Sequence, residues 1–285
     1  MRHISPLARK WVEREGGRSM RRYMLVVKAT PEIEAGRFPD EKMKAASRQY
    51  LEELAKAEAL VACDRLQPSS QGKRVHFARG KFTVTDGPFA ETKELVAGYC
   101  LIRAASLAEA VAWAKRMPFQ TGAVDVRPLF ELCDFPVDPG EQPDGWRDKE
   151  AEMQAAPAPA RRPGTTRYLG MLKADRDTEA GVMPDEKLLT AMGAFIKEGV
   201  KSGIFLSGEG LQPSAQGARV QFSGGQRMVT DGPFAETKEL VAGYAIMQFA
   251  SPAEAVEWTK RFVQVDAPGR LGAESECELR PIVEE

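Results

Sequence analysis

Sixteen consecutive residues, Val84 to Tyr99 (VTDGPFAETKELVAGY), return unchanged as Val229 to Tyr244. A shift of 145 residues extends the match without a gap from Tyr23/Tyr168 to Arg116/Arg261, and 48 of those 94 positions are identical. The identity is uneven: positions 45–65 keep little, whereas 84–99 keep everything. Even drift after a duplication would not concentrate identity in this way. A local constraint, turn geometry or chemistry, acts on that stretch in both copies.

The chain has 285 residues, more than one small core requires and suited to two domains. Forty basic residues face 41 acidic ones, so the net charge of -1 gives no general attraction to nucleic acid or to a membrane surface. No run of ~18 apolar residues suggests a transmembrane helix. Residues 1–22 lack the apolar centre of a signal peptide and read as a solvated leader containing Arg14, Arg18, Arg21 and Arg22. The expected location is the cytoplasm. Cys63, Cys100, Cys133 and Cys277 show no C-x-x-C spacing and are expected to be free, mostly buried thiols in a reducing compartment.

Both copies follow one order of elements. Tyr23–Lys28 and Tyr168–Lys173 are short apolar runs and predict strands. Asp40 and Asp185 are N-cap residues. Behind them Met43, Ala46, Tyr50, Leu51 and Leu54, or Leu188, Met192, Phe195, Ile196 and Gly199, mark one helical face. A further strand over Leu60–Leu66 or Phe205–Leu211 ends at Gln-Pro-Ser. A hairpin follows over Lys73–Thr85 or Ala218–Thr230. After the repeated motif come a strand, a helix opened by Ser106-x-x-Glu109 or Ser251-x-x-Glu254, and a last strand over Val124–Leu129 or Cys277–Val283.

This order predicts an α+β fold of two ferredoxin-like βαββαβ units, each with an inserted hairpin. A sheet with helices on one face needs a cover for the other. The second copy supplies it, which predicts a pseudo-twofold α+β barrel, the intrachain counterpart of a homodimer. The expected division is a leader over 1–22, a first domain over 23–135, a linker over 136–166 and a second domain over 167–285. Six of the 31 linker residues are proline, so an extended segment is expected, with a helical turn near Trp146–Met153.

Asp-Gly-Pro is a turn in which Gly is expected to take positive φ and Pro to stop strand pairing. Phe89 and Phe234 fill apolar space, and Gly98 marks a bulge or a close backbone approach. Two readings of the polar residues stand. In one, Asp86 and Asp231 are general bases, and a ligand or oxyanion is held by Arg74, Lys93, Tyr99, Arg219, Lys238 and Tyr244. In the other, the aspartates cap the turn and the neighbouring charges pair at its rim. The two histidines, His3 and His76, have no counterpart in the other copy, which excludes a symmetric His–Asp mechanism. Neither a metal site nor a cofactor motif is read from the His, Cys or Gly spacing.

The VTDGPFAETKE stretch, the upstream LQPS and RV, the downstream S-x-A-E-A-V-x-W and the terminal Arg-Pro resemble the YCII-related family, in particular its DGPF branch. The resemblance covers residues 23–131 and 168–284. It implies a ferredoxin-like fold that associates as a dimeric α+β barrel. It also implies tandem members, some encoded beside extracytoplasmic-function sigma factors, hence a functional link of that kind. Simpler relatives carry a proposed His–Asp site with the histidine in the first helix, where this chain has Tyr50 and Phe195. The function expected is small-molecule binding or regulation, with a further homodimer open. The alternative is an enzyme acting on a small polar substrate through Asp86 and Asp231.

Overall fold

The computed structural model describes residues 20–37, 40–89, 94–131, 134, 160–234 and 240–284. Lys93, Lys238, Cys133, most of the 136–166 segment and its expected helical turn lie outside them. The first half comprises β1 (Arg21–Lys28), α1 (Pro31–Glu34), α2 (Glu41–Lys56), β2 (Leu60–Arg65), β3 (Lys73–Ala78), β4 (Lys81–Asp86), β5 (Val96–Ala104), α3 (Leu107–Lys115) and β6 (Thr121–Pro128). The second half repeats the order with β7 (Thr166–Lys173), α4 (Arg176–Glu179), α5 (Glu186–Lys201), β8 (Phe205–Gly210), β9 (Ala218–Ser223), β10 (Gln226–Asp231), β11 (Val241–Phe249), α6 (Pro252–Asp266) and β12 (Ser275–Pro281).

Local chemistry sets these boundaries as expected. The Asp40 and Asp185 side chains accept from the Met43 and Leu188 N–H groups at the starts of α2 and α5. Ser106 and Ser251 accept from the Glu109 and Glu254 N–H groups. Each glutamate reaches back to the N–H of Ala105 or Ala250, one residue before the cap. The strand β1 starts at Arg21, before the expected Tyr23. Arg22 therefore leaves the supposed solvated leader: its guanidinium binds Glu131 at 2.7 Å and also pairs with Glu209.

The strands form two six-stranded sheets, ordered β10-β9-β6-β1-β5-β2 and β4-β3-β12-β7-β11-β8, with every named pair antiparallel. The hairpins exchange. The first half's β3–β4 extends the second half's sheet through β12, and the second half's β9–β10 extends the first half's sheet through β6. The bridges Leu66–Ile282 and Leu129–Leu211 continue these seams. An inserted hairpin was expected, but not its crossing to the other half.

Strand alternation divides the core. Tyr23 and Leu25 of β1, with Cys100 and Ile102 of β5, pack into a cluster with Tyr50, Leu54 and Ala110 of α2 and α3, joined by Val220 and Phe222 of the exchanged hairpin. Met24, Val26, Tyr99 and Leu101 on the other face share one buried cluster with Leu169, Met171, Tyr244 and Ile246 of the second sheet. Phe195, Trp258, Phe249 and Tyr168 form the corresponding helix-side cluster of the second half. One apolar layer is thus common to both sheets, and helices cover the outer faces.

Two further expectations are corrected. Cys63 and Cys100 are opposite each other on β2 and β5 and are joined as a disulfide, so they are not free thiols. Cys277 is free and buried. Gly87 and Gly232 precede cis prolines and are not among the positive-φ glycines. Glycine is needed there for close approach, because an added Cβ would overlap the carbonyl oxygen of Ser69 or Ser214. Gly98 meets expectation: its built Cβ lies 2.8 Å from the Asp64 carbonyl oxygen, opposite a register shift in β1. Among the described residues no helix is long and apolar enough to cross a membrane.

Candidate functional site

The repeated motif leads from the end of each exchanged hairpin towards the seam with the other half. At the first seam Arg219 of β9 faces Asp125 of β6. Its Nε donates to Asp125 at 2.6 Å, and its two Nη groups donate to Glu94 at 3.0 and 2.9 Å. Lys28 at the end of β1 lies 2.7 Å from Glu94 and 3.1 Å from Asp125. The Arg219 guanidinium stacks over the Phe234 ring at 4.6 Å, and the Phe234 N–H donates to Ser214 Oγ. Ser214 in turn hydrogen-bonds Glu179, which pairs with the buried Arg127.

The second seam repeats the plan. Arg74 of β3 faces Glu278 of β12, bonds it at 3.0 Å and stacks over Phe89 at 4.2 Å. Lys173 lies 3.4 Å from Glu278. Arg280 donates to Glu278, Glu34 and the Gln67 carbonyl, and Glu34 holds Ser69. Each seam is therefore a buried network in which cations meet carboxylates and backbone carbonyls. Such networks stabilise only when their members are satisfied.

The acids respond to this setting. Burial pushes the Asp125 and Glu94 carboxyls up, but Lys28 and Arg219 outweigh it and hold both below their ordinary ranges. Glu278 is also held low: burial opposes this, and Lys173, Arg280 and Arg74 override it. A depressed carboxylate pKa gives stability that is complete above the ordinary value and is lost as pH falls through the lower folded value. The ordinary values are 3.8 for Asp125 and 4.5 for Glu94 and Glu278. The melting temperature is therefore expected to fall steeply below about pH 4. Glu209, whose burial raises its pKa despite Arg22, acts with the opposite sign, losing its contribution as pH rises through its folded value. Melting curves from pH 7 to pH 2.5 test this, and Asp125→Asn should flatten the acid limb. An unchanged slope in that variant would refute the seam as its source.

The residues singled out in the sequence do not converge on one site. Asp86 ends β4 with its side chain 75 % exposed and bonds Lys73 Nζ at 2.5 Å. Asp231 is exposed at the end of β10, opposite Ala218. Arg74 and Arg219 are in separate seams. Tyr99 and Tyr244 are buried between the sheets, ring centroids 6.3 Å apart. The Tyr99 hydroxyl donates to Asp64 at 2.6 Å, and Arg167 bonds the same carboxylate at 2.9 Å. The Tyr244 hydroxyl donates to Glu209, the partner of Arg22. Burial, then the neighbouring carboxylate, pushes both phenols well above their usual range. Sequence reasoning missed Lys28, Lys173, Asp125, Glu278, Arg127 and Arg280. Their signal was a charge closing or interrupting an apolar strand, as in YMLVVK and VDVRPL.

A different place offers space. Between α5, α6 and the outer face of the second sheet is a cavity of about 370 Å³, mostly apolar, with Phe195, Met192 and Trp258 in its wall. Its sheet floor includes Gly170, Gly208 and Ala245. At the matching positions the first half has Leu25, Cys63 and Cys100, where the leucine is fully buried and the cysteines are bonded to each other. At these three floor positions the second half carries smaller side chains than the first. The Cys277 thiol also lines the cavity, but complete burial pushes its pKa up and leaves it a poor nucleophile.

Comparison with known proteins agrees with this duplicated plan. A 90-residue stretch, 30 % of the chain, is 39 % identical to Uncharacterized protein R00369 of Rhizobium meliloti (strain 1021) and covers 69 % of that protein. The model of the YCII-related domain matches residues 21–133 and again 166–276. With both halves matched and each built on the same strand order, the chain belongs to the YCII-related domain family.

Proposed function

We propose that this is a small-molecule-binding protein with a division of labour between its halves, the first a scaffold and the second the ligand carrier. The two ferredoxin-like halves, closed as a pseudo-twofold α+β barrel, provide the frame. The observation that carries the reading is the cavity of about 370 Å³ beneath α5, within the range usual for small-ligand sites. The motif residues support binding over chemistry. Arg74 and Arg219 are engaged by carboxylates, and Asp86 stands in solvent beside Lys73.

Gly170→Leu tests the reading by restoring the first half's residue. The built Cβ lies 2.8 Å from Met247 Cε, the far end of a flexible side chain, so the leucine has room once that methyl swings aside. Filling the cavity is expected to raise the melting temperature by about 2–4 °C, the effect of about 1 kcal/mol of added burial. It should also abolish stabilisation by any compound that a thermal-shift screen finds for the wild type. Asp86→Asn and Asp231→Asn should leave that stabilisation intact. Retained binding in Gly170→Leu would sink the proposal, and loss in the aspartate variants would return the site to the motif.

A further inference from the structure

The strand β10 ends the first sheet and leaves one edge unpaired. All of its residues except Arg227 are exposed, Met228 at 56 % and Val229 at 39 % among them. An open edge that carries apolar side chains is a template for a further strand.

The turn decides which backbone groups face outward. Gly224 and Gly225, both with positive φ, form a two-residue loop closed by the pair Ser223–Gln226. That closing pair is hydrogen-bonded, and bonding alternates along an antiparallel ladder. Gln226, Met228 and Thr230 therefore turn their N–H and C=O groups to β9. Arg227, Val229 and Asp231 present theirs to the open edge. The same three side chains share one face with Phe222, Val220 and Ala218, the residues opposite them on β9.

This triplet is complementary to itself. When a second β10 lies antiparallel with Val229 against Val229, Arg227 of each copy faces Asp231 of the other. Each of the three pairs then exchanges two backbone hydrogen bonds, because all three positions are outward-facing. Neither Arg227 nor Asp231 makes an ion pair within the chain among the described residues. Arg227 Nε donates to the Lys115 carbonyl, and the guanidinium stacks over Phe222 at 4.6 Å, which holds the charge beside the edge. The corresponding edge of the other half lacks this symmetry. There β4 ends the second sheet, but Phe82 stands where β10 has Arg227, and Asp86 is already bonded to Lys73. The same pairing about Val84 would set Phe82 against Asp86.

We propose that two copies of the chain associate edge to edge through β10, antiparallel about Val229 and with Arg227 of each paired to Asp231 of the other, so that their first sheets become one. A contact between two strands buries little surface, so a dimer of micromolar strength is expected. Sedimentation of the full chain over a concentration series measures it. Arg227→Asp sets like charges opposite each other at both ends of the contact, and so does Asp231→Arg. Each should weaken the dimer by about tenfold. The double swap Arg227→Asp/Asp231→Arg restores opposite charges and should restore the dimer, which a merely damaged strand would not do. Val229→Pro removes the central N–H, which β9 does not use, and should leave a folded monomer. Val84→Pro at the matching place on β4 should leave the dimer intact. A wild type still monomeric at about 1 mM would overturn the proposal. So would a dimer indifferent to both single charge reversals. A dimer lost in Val84→Pro and kept in Val229→Pro would overturn it in favour of the β4 edge.

Discussion

Expressed alone, residues 20–134 are expected to run as a dimer and not to fold as a monomer. The exchange of hairpins dictates this. Without the second half, the first sheet loses β9 and β10 from its β6 edge, and β3–β4 loses the β12 strand on which it pairs. An edge as long as β6, with Asp125 buried behind it, is a poor surface to leave in water. A second copy of the same half supplies what is missing. Its Arg74 would face Asp125 where it now faces Glu278, with Lys28 in the place of Lys173 and Glu94 beside it. The charges match, so the dimer is self-complementary. Light scattering on the purified half measures it, and Arg74→Ala should shift the equilibrium towards unfolded monomer. A monomeric half that melts cooperatively would show that the seams are dispensable.

Arg280→Met is expected to be among the most damaging single substitutions in the chain. Arg280 is 0 % exposed, and its three nitrogens reach Gln67 O, Glu278 and Glu34. Removing one member of a buried charge network leaves the others desolvated without their counterpart, typically about 3–5 kcal/mol. For a chain of this size that lowers the melting temperature by on the order of 10 °C. The exposed pair Arg261–Glu198 is the control, because solvent screens it. Glu198→Gln should leave the midpoint where it is. If the two substitutions had equal effects, burial would not be what gives the seam its strength.

Much of this architecture was legible because it depends on short-range patterns. The caps at Asp40, Asp185, Ser106 and Ser251, the strand–helix order and the tandem family match follow from periodicity, end chemistry and the repeat. The destination of the hairpins was not legible. Both copies present nearly the same strand edges, so pairing within a half and pairing across halves satisfy the same local rules. The Cys63–Cys100 bond was hidden for a related reason: the cysteines meet only through the β2–β5 register, not through any sequence spacing. At Gly87 the type of residue was legible but not its cause, since contact with Ser69, 18 positions earlier, is a tertiary matter. The cavity was half visible. The pairs Leu25/Gly170, Cys63/Gly208 and Cys100/Ala245 could be read from the alignment of halves, but their place on one floor could not.

The crossing of the hairpins also bears on heredity. Each hairpin is fitted to a sheet encoded in the opposite part of the gene, so a change on one is selected by its effect on the other. Neither copy can be lost or replaced without stripping a seam from its neighbour, which binds the duplicates into a single heritable unit. In each sheet β2 or β8 stands at the edge opposite the exchanged strands, outside that mutual fit. It is there, in the stretch 45–65 and its counterpart, that the copies have drifted apart and one of them has acquired a hollow.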